Sequence, residues 1–265
     1  MIDRSGLSGK TALAVVLAAL ALSGCASVRK PMTAGQYQYM SAEEIATLSP
    51  SQRQMMNYRL ETAFLSRPGN VKSGVAWSEY LKAEGRYSEA NQVMREVAAR
   101  NPDSGDALLH YAETQAALGH YPDALRTIRD AERVAPRDWR TFSQEGLILD
   151  QMGQPMEARM RYRQALSLSP KNPEVLSNMA VSYVLTHDLA TAENYLREAN
   201  DRRGASSEVQ INLALVLALQ GKQQEAQRVA TAGVSAEQAQ INLAALQAAT
   251  APGGAWEQFA VGAGG

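Results

Sequence analysis

Residues 71–104 read VKSGVAWSEYLKAEGRYSEANQVMREVAARNPDS, and residues 105–138 read GDALLHYAETQAALGHYPDALRTIRDAERVAPRD. Laid one under the other, they set Gly85 over Gly119, Tyr87 over Tyr121, Ala90 over Ala124 and Pro102 over Pro136. The same interval of 34 residues continues outward in both directions. Pro68, Pro102, Pro136 and Pro170 form one series, with Gly204 in the next place. Ala90, Ala124, Ala158, Ala192 and Ala226 form a second, and Gly85, Gly119, Gly153 and Gly221 a third that only His187 interrupts.

Each residue type has a physical place in a helix pair. Gly85 permits the left-handed turn that ends a first helix, and a second helix begins near Ser88. Ala90 then lies where the two helices approach, and a larger side chain there would force them apart at a cost of about 1–3 kcal/mol. The proline near the end of each unit stops the second helix, because it removes an amide donor and clashes with the preceding turn. A 34-residue array of this kind resembles the tetratricopeptide repeat. The fold class expected is all-α, a superhelical solenoid of antiparallel helix pairs.

Five units follow, at 71–104, 105–138, 139–172, 173–206 and 207–240. The first two carry the fullest marks. The third has Pro155 in place of the tyrosine, the fourth His187 for glycine and Gly204 for proline, and the fifth Gln223 for tyrosine. Ala63 and Pro68 fall in register with a unit's closing alanine and proline, so 51–66 reads as the second helix of a degenerate leading unit within a cap at 41–70. Terminal units are expected to be atypical, since one face has no neighbour.

The start of the chain is the second informative stretch. Arg4 and Lys10 precede an apolar run from Thr11 to Leu22, followed by Leu22-Ser23-Gly24-Cys25, which resembles the lipobox of bacterial lipoproteins. The run is shorter than the roughly 20 residues a spanning helix needs and reads as a secretory leader over 1–24. The resemblance implies cleavage before Cys25 and acyl chains on its sulfur and new amino terminus. With Ala26 next, it implies the outer membrane, facing the periplasm. Residues 25–40 would be a lipidated flexible tether. The chain has one cysteine, so an internal disulfide and a thiolate metal cluster are both excluded, and covalent lipid is the one prosthetic group expected.

Little else carries chemistry. His110, His120 and His187 fall in three different units and read as polar helix or turn residues, with no ligand-spaced partner and no metal expected. Gly6-Leu7-Ser8-Gly9-Lys10-Thr11 superficially matches a phosphate loop, yet Arg4 stands at the first glycine position and no strand precedes it. No nucleophile elbow, zinc-protease motif or dinucleotide fingerprint occurs, so no enzyme activity is expected. The 26 basic and 27 acidic side chains are interleaved. Arginines at 126–140 and 159–163 alternate with Asp130, Glu132, Asp138 and Glu157, which reads as a solvated face and not a nucleic-acid track.

What remains is the groove that stacked first helices enclose. In this repeat class the second, fifth, ninth, twelfth and thirteenth places of a unit face it. These are mixed in the first two units, including Glu79, Lys82, Asp106 and Glu113. They are apolar in the last two, where Val181, Val184, Leu185, Ile211, Leu215 and Leu219 form a candidate partner-binding set. Asn178 and Asn212, at the sixth places, could bond a peptide backbone or serve as ordinary repeat residues. Two covers compete for the apolar half. One is the chain's own closing helix, read over 236–249 with 241–250 as the cap and Ile241, Leu243 and Leu246 facing the last unit. The other is a partner helix or extended peptide. The basic clamp that some such domains use for acidic carboxyl termini is not evident, because Val75, Leu109, Ser177 and Ile211 occupy the fifth places. The tail at 251–265 is glycine-rich around Trp256 and Phe259.

The stretch from Ala180 to Ala230, above all Ile211-Asn212-Leu213-Ala214-Leu215-Val216-Leu217-Ala218-Leu219-Gln220-Gly221, together with the lipobox, resembles the TadD-type tetratricopeptide lipoproteins of tight adherence (Tad, or Flp) pilus systems. That resemblance implies a pilotin-like assembly and localisation factor for the pilus secretin, with a periplasmic pilus-assembly protein as a further partner. The alternative is an outer-membrane adaptor for peptidoglycan hydrolases or β-barrel assembly.

Overall fold

A computed structural model describes residues 45, 48–202 and 206–251. The leader at 1–24, Cys25, the tether at 25–40, Gly204, and Trp256 and Phe259 of the tail lie outside the described residues. Twelve helices run from Pro50 to Thr250, and no strand occurs among the described residues. They are α1 (Pro50–Ser66), α2 (Val71–Ala83), α3 (Tyr87–Arg100), α4 (Gly105–Ala117), α5 (Tyr121–Val134) and α6 (Trp139–Gln151), then α7 (Pro155–Leu168), α8 (Pro173–Val184), α9 (Leu189–Asn200), α10 (Ser207–Leu219), α11 (Gln223–Thr231) and α12 (Ala236–Thr250). The chain divides into two compact units, one up to Ile148 and one from Leu149 on.

The periodic residues determine where these helices start and stop. First helices begin at Val71, Gly105, Trp139, Pro173 and Ser207, the first residues of the five units. Asn70, Ser104, Asn172 and Ser206 cap four of them, each side chain accepting a free backbone N–H of the first turn. Each first helix ends in a Schellman turn. Around Gly119, for example, Gly119 N–H donates to the Ala116 carbonyl at 2.8 Å and His120 N–H to the Gln115 carbonyl at 3.0 Å. The residue at the turn has φ of 74° at Gly85, 76° at Gly119, 74° at Gly153 and 79° at Gly221. His187 adopts the same conformation at φ 60° despite its Cβ, which costs about 1 kcal/mol or more. Second helices stop two residues short of the prolines. Asn101, Ala135 and Ser169 lie between helix end and proline, with φ of −136°, −127° and −130° and ψ of 60°, 69° and 79°, outside the helical region that a following proline disfavours.

Two rows of small residues bring the helices together. Ala90, Ala124, Ala158, Ala192 and Ala226 are fully buried on the second helices. A row on the first helices, Ser78, Ala112, Gly146, Ala180 and Ala214, keeps the same interval and is also buried. In the unit up to Ile148, Leu81, Val93, Met94 and Val97 form one cluster and Leu109, Ile128 and Ile148 another. In the unit from Leu149 on, one cluster runs from Leu176 to Ala249 and includes most of α10.

The fifth repeat departs from the expected 207–240. Its second helix has nine residues and stops at Thr231, where Gly233 at φ 72° and the capping Ser235 start α12 early. The closing helix is Ala236–Thr250, in agreement with the reading over 236–249 and five residues longer at its start than the cap at 241–250. It carries a first-helix signature, since Gln240-Ile241-Asn242-Leu243-Ala244 repeats Gln210-Ile211-Asn212-Leu213-Ala214. Asn242 is buried and donates its Nδ2 to the Ala230 carbonyl at 2.7 Å, fastening α12 to the end of α11.

Candidate partner-binding site

Within the unit up to Ile148, the first helices present a linked set of charges. Lys82 on α2 places its Nζ 2.8 Å from Glu79 Oε1 and 3.6 Å from Glu113 Oε2 on α4. His110 Nδ1 lies 2.8 Å from that Glu113 oxygen and 3.8 Å from Glu79, and its Nε2 is 3.9 Å from Asp106. Asp106 accepts a hydrogen bond from Arg140 at 2.9 Å, and Arg140 also pairs with Asp138 at 2.6 Å. Burial disfavours charge on His110, yet the Glu113 hydrogen bond and the neighbouring carboxylates hold its pKa above the ordinary value. Burial pushes Glu113 up, and His110 and Lys82 more than offset it, so the carboxyl sits below its usual range.

This corrects the reading of His110 as a residue without a ligand-spaced partner. Asp106 stands four residues before it and Glu113 three after, on one helical face. Oxygens of Glu79 and Glu113 and a ring nitrogen of His110 lie within 4.8 Å of one another, a spacing that suits a cation. The Lys82 ammonium lies against both carboxylates, so the chain supplies that positive charge itself.

In the unit from Leu149 on, the candidate groove residues separate into two groups. Val184 and Asn212 are 4% exposed and Leu215 is 6% exposed, so these three belong to the core. The cause is α10, apolar nearly all round, whose Leu215 and Ala218 share one cluster with Leu246 and Ala249 of α12. Asn212 Nδ2 donates to Ser177 Oγ at 3.2 Å, an interior contact and not one available to a bound backbone. Asn178, Val181, Leu185, Ile211 and Leu219 are half-buried. The chain's own helix is thus one cover of α10, and a partly exposed apolar set persists beside it.

A buried polar network was not anticipated. Asp150 accepts hydrogen bonds from Ser182 Oγ at 2.8 Å and Tyr162 at 2.9 Å. Burial pushes its carboxyl up to about 7, only partly offset by these donors and by Arg159. Arg159 does not belong to a solvated face. It is 7% exposed, donates to the Ser182 carbonyl at 2.7 Å and lies 3.9 Å from the Tyr183 ring centroid. Arginines of the other unit do pair at the surface, Arg133 with Asp130 at 2.8 Å for example.

Helix pairs that recur every 34 residues and end in glycine turns make the fold that of a tetratricopeptide-repeat solenoid. Residues 81–142 match the family described as tetratricopeptide repeat. Among curated proteins, the cellulose synthase operon protein C of Pseudomonas fluorescens (strain SBW25) is 27% identical over 128 residues, 44% of this chain and 10% of that protein. The chain spans 10%, 17%, 13% and 48% of the four curated relatives it matches. Among solved structures, a thermophilic repeat protein of Thermus thermophilus has a TM-score of 0.58 at 22% identity, over 63% of this chain and 92% of that one. PilW, described as a widely conserved type IV pilus biogenesis factor, has a TM-score of 0.57 at 16% identity, over 73% and 91%. At these identities the likeness is one of fold.

Proposed function

We propose that this chain is a lipid-anchored, pilotin-like scaffold of a tight adherence pilus. Acyl chains on Cys25 hold it to the outer membrane, facing the periplasm. There it binds the pilus secretin, helps it assemble and stay in the membrane, and shares the complex with a periplasmic pilus-assembly protein. The observation that carries the binding role is the half-buried apolar set Val181, Leu185, Ile211 and Leu219, which persists although α12 already packs on α10. Apolar anchors at a partly desolvated face are where binding energy concentrates in interfaces. The choice of partner rests on the resemblance over Ala180–Ala230 and on the lipobox. PilW adds that a pilus biogenesis factor can be built on this fold.

The test is a crosslinking pull-down from envelopes with the lipidated protein as bait. Replacing Leu185 and Leu215 together with glutamate would read stability, because Leu215 is core. Val181→Glu with Ile211→Glu is the informative pair, since both residues are half-buried. Recovery of a secretin by the native chain and its loss in the double variant, with unchanged helical circular dichroism, is the expected result. Recovery of cell-wall hydrolases or barrel-assembly components without secretin would replace this reading with the adaptor role.

A further inference from the structure

Helix α1 is apolar on two opposite sides. Met56, Leu60 and Phe64 face inward, where Met56 and Leu60 cluster with Ile45 and Tyr80. On the opposite side Met55 is 48% exposed, Tyr58 65% and Leu65 61%, and with the exposed Thr62 they follow the spacing of one helical face. The units that follow show what such positions ordinarily hold. In the same register, Met55 is succeeded by Glu89, Asp123 and Glu157, Thr62 by Glu96, Asp130 and Gln164, and Leu65 by Ala99, Arg133 and Ser167. Tyr58 is succeeded by Gln92, Arg126 and Met160. No other second helix places three large apolar residues at these register positions, although α7 exposes Met156 and Met160 one turn apart. Arg59 and Glu61 flank the α1 stripe on either side, while Arg53 lies on the inward side and pairs with Glu84 at 3.4 Å.

We infer that this outward face of α1 lies against the phospholipid surface to which Cys25 is tethered, and so sets the orientation in which the repeats are presented. The inference rests on the lipid-anchor reading above. With its inner side packed on the array, α1 turns Met55, Tyr58 and Leu65 outward, and such exposed apolar and aromatic side chains suit the headgroup–acyl boundary of a membrane surface. Ile45, buried in the α1 cluster, stands 20 residues beyond Cys25, and a coil of that length averages roughly 22–27 Å, which keeps α1 within reach of the membrane. The stripe is small. A helix of 17 residues is about 25 Å long, and one such face falls short of the roughly 1,200 Å² that a stable dimer buries. A second copy of the chain is accordingly a poor occupant. A tethered molecule needs less, because the anchor turns surface contact into an intramolecular step at high effective concentration.

The experiment uses the chain from Ala26 onward with an amino-terminal hexahistidine in place of Cys25, which leaves no cysteine in the sequence. Tyr58→Cys carries an environment-sensitive nitrobenzoxadiazole label, and Arg133→Cys carries it as the control. Vesicles of phosphatidylethanolamine and phosphatidylglycerol, doped with a nickel-chelating lipid, recruit the protein. The expected result is a blue shift and brightening at position 58 with no change at 133. Adding Met55→Ser and Leu65→Ser should return the signal at 58 to its solution value while recruitment persists. An unshifted label at 58, or equal shifts at both positions, would overturn the inference. A shift without vesicles that grows with protein concentration would assign the face to a second copy instead. Because the chelating lipid replaces the acyl chains, the result stands whatever the state of Cys25. Mass spectrometry of the mature amino terminus tests the anchor separately.

Discussion

The unit up to Ile148 and the unit from Leu149 on build the same helix pair with different adhesives. In the first, neighbouring first helices are joined at a half-exposed face by polar pairs, Lys82 and His110 against Glu79, Asp106 and Glu113. In the second, the join is an apolar cluster around Leu213, Leu215 and Leu217, and the one buried acid, Asp150, has its carboxyl pushed up to about 7 by burial. The small-residue rows and glycine turns are common to both. The repeat therefore dictates how close helices come, and leaves free what chemistry fills the space between successive pairs. That freedom lets one array combine a polar half with an apolar half.

The contrast can be broken most forcefully at Leu215. Leu215→Glu places an unpaired charge in the core and should cost about 4 kcal/mol. Segment-resolved hydrogen exchange should show protection lost across α8 to α12 and retained across α2 to α5. Acidity sharpens the contrast next. The native state binds a proton at Asp150 near pH 7, whereas the ordinary value is 3.8. Its contribution is full below the unfolded value and is lost as pH rises through about 7, so the second unit should gain exchange protection on going from pH 8 to pH 5, and Asp150→Asn should abolish that gain. Glu113 has the opposite sign. Its carboxyl is held low, so its contribution is present above the usual carboxylate value and is lost as pH falls through its lowered folded value.

Smaller effects probe the same divide. Glu113→Ala removes the acceptor shared by Lys82 and His110 and should destabilise the first unit by about 2 kcal/mol in urea unfolding. An equal effect in high salt would show that packing and not charge holds that join. His187→Gly should stabilise the second unit by about 1 kcal/mol, because it relieves a side chain in the left-handed region. Gly119→Ala should cost the first unit a similar amount.

What the sequence disclosed was local or periodic. Helix starts, glycine turns and the alanine row recur every 34 residues, and each is specified by the geometry of a single unit. What it concealed depended on three-dimensional neighbours. Glu79 meets His110 only because consecutive first helices stack, although Asp106 and Glu113 were readable on His110's own helix. Asp150 and Arg159 look like surface charges until Tyr162, Ser182 and Tyr183 close around them. The periodic rule marked Val184 and Leu215 as groove residues, and although a closing helix over 236–249 was legible as one of two covers, which side of α10 it seals depended on packing.

The early arrival of α12 makes that helix more than a cover. Because α12 carries the same Gln-Ile-Asn-Leu-Ala motif as α10, it is by sequence the first helix of a further cycle. The nine-residue α11 is what shortens the interval between the two. A consensus unit inserted between α11 and α12, with α11 restored to the length of the other second helices, would be closed by the same helix. The number of repeats in such a chain is then an adjustable quantity, and the reach of the scaffold can be lengthened one module at a time without redesigning its end.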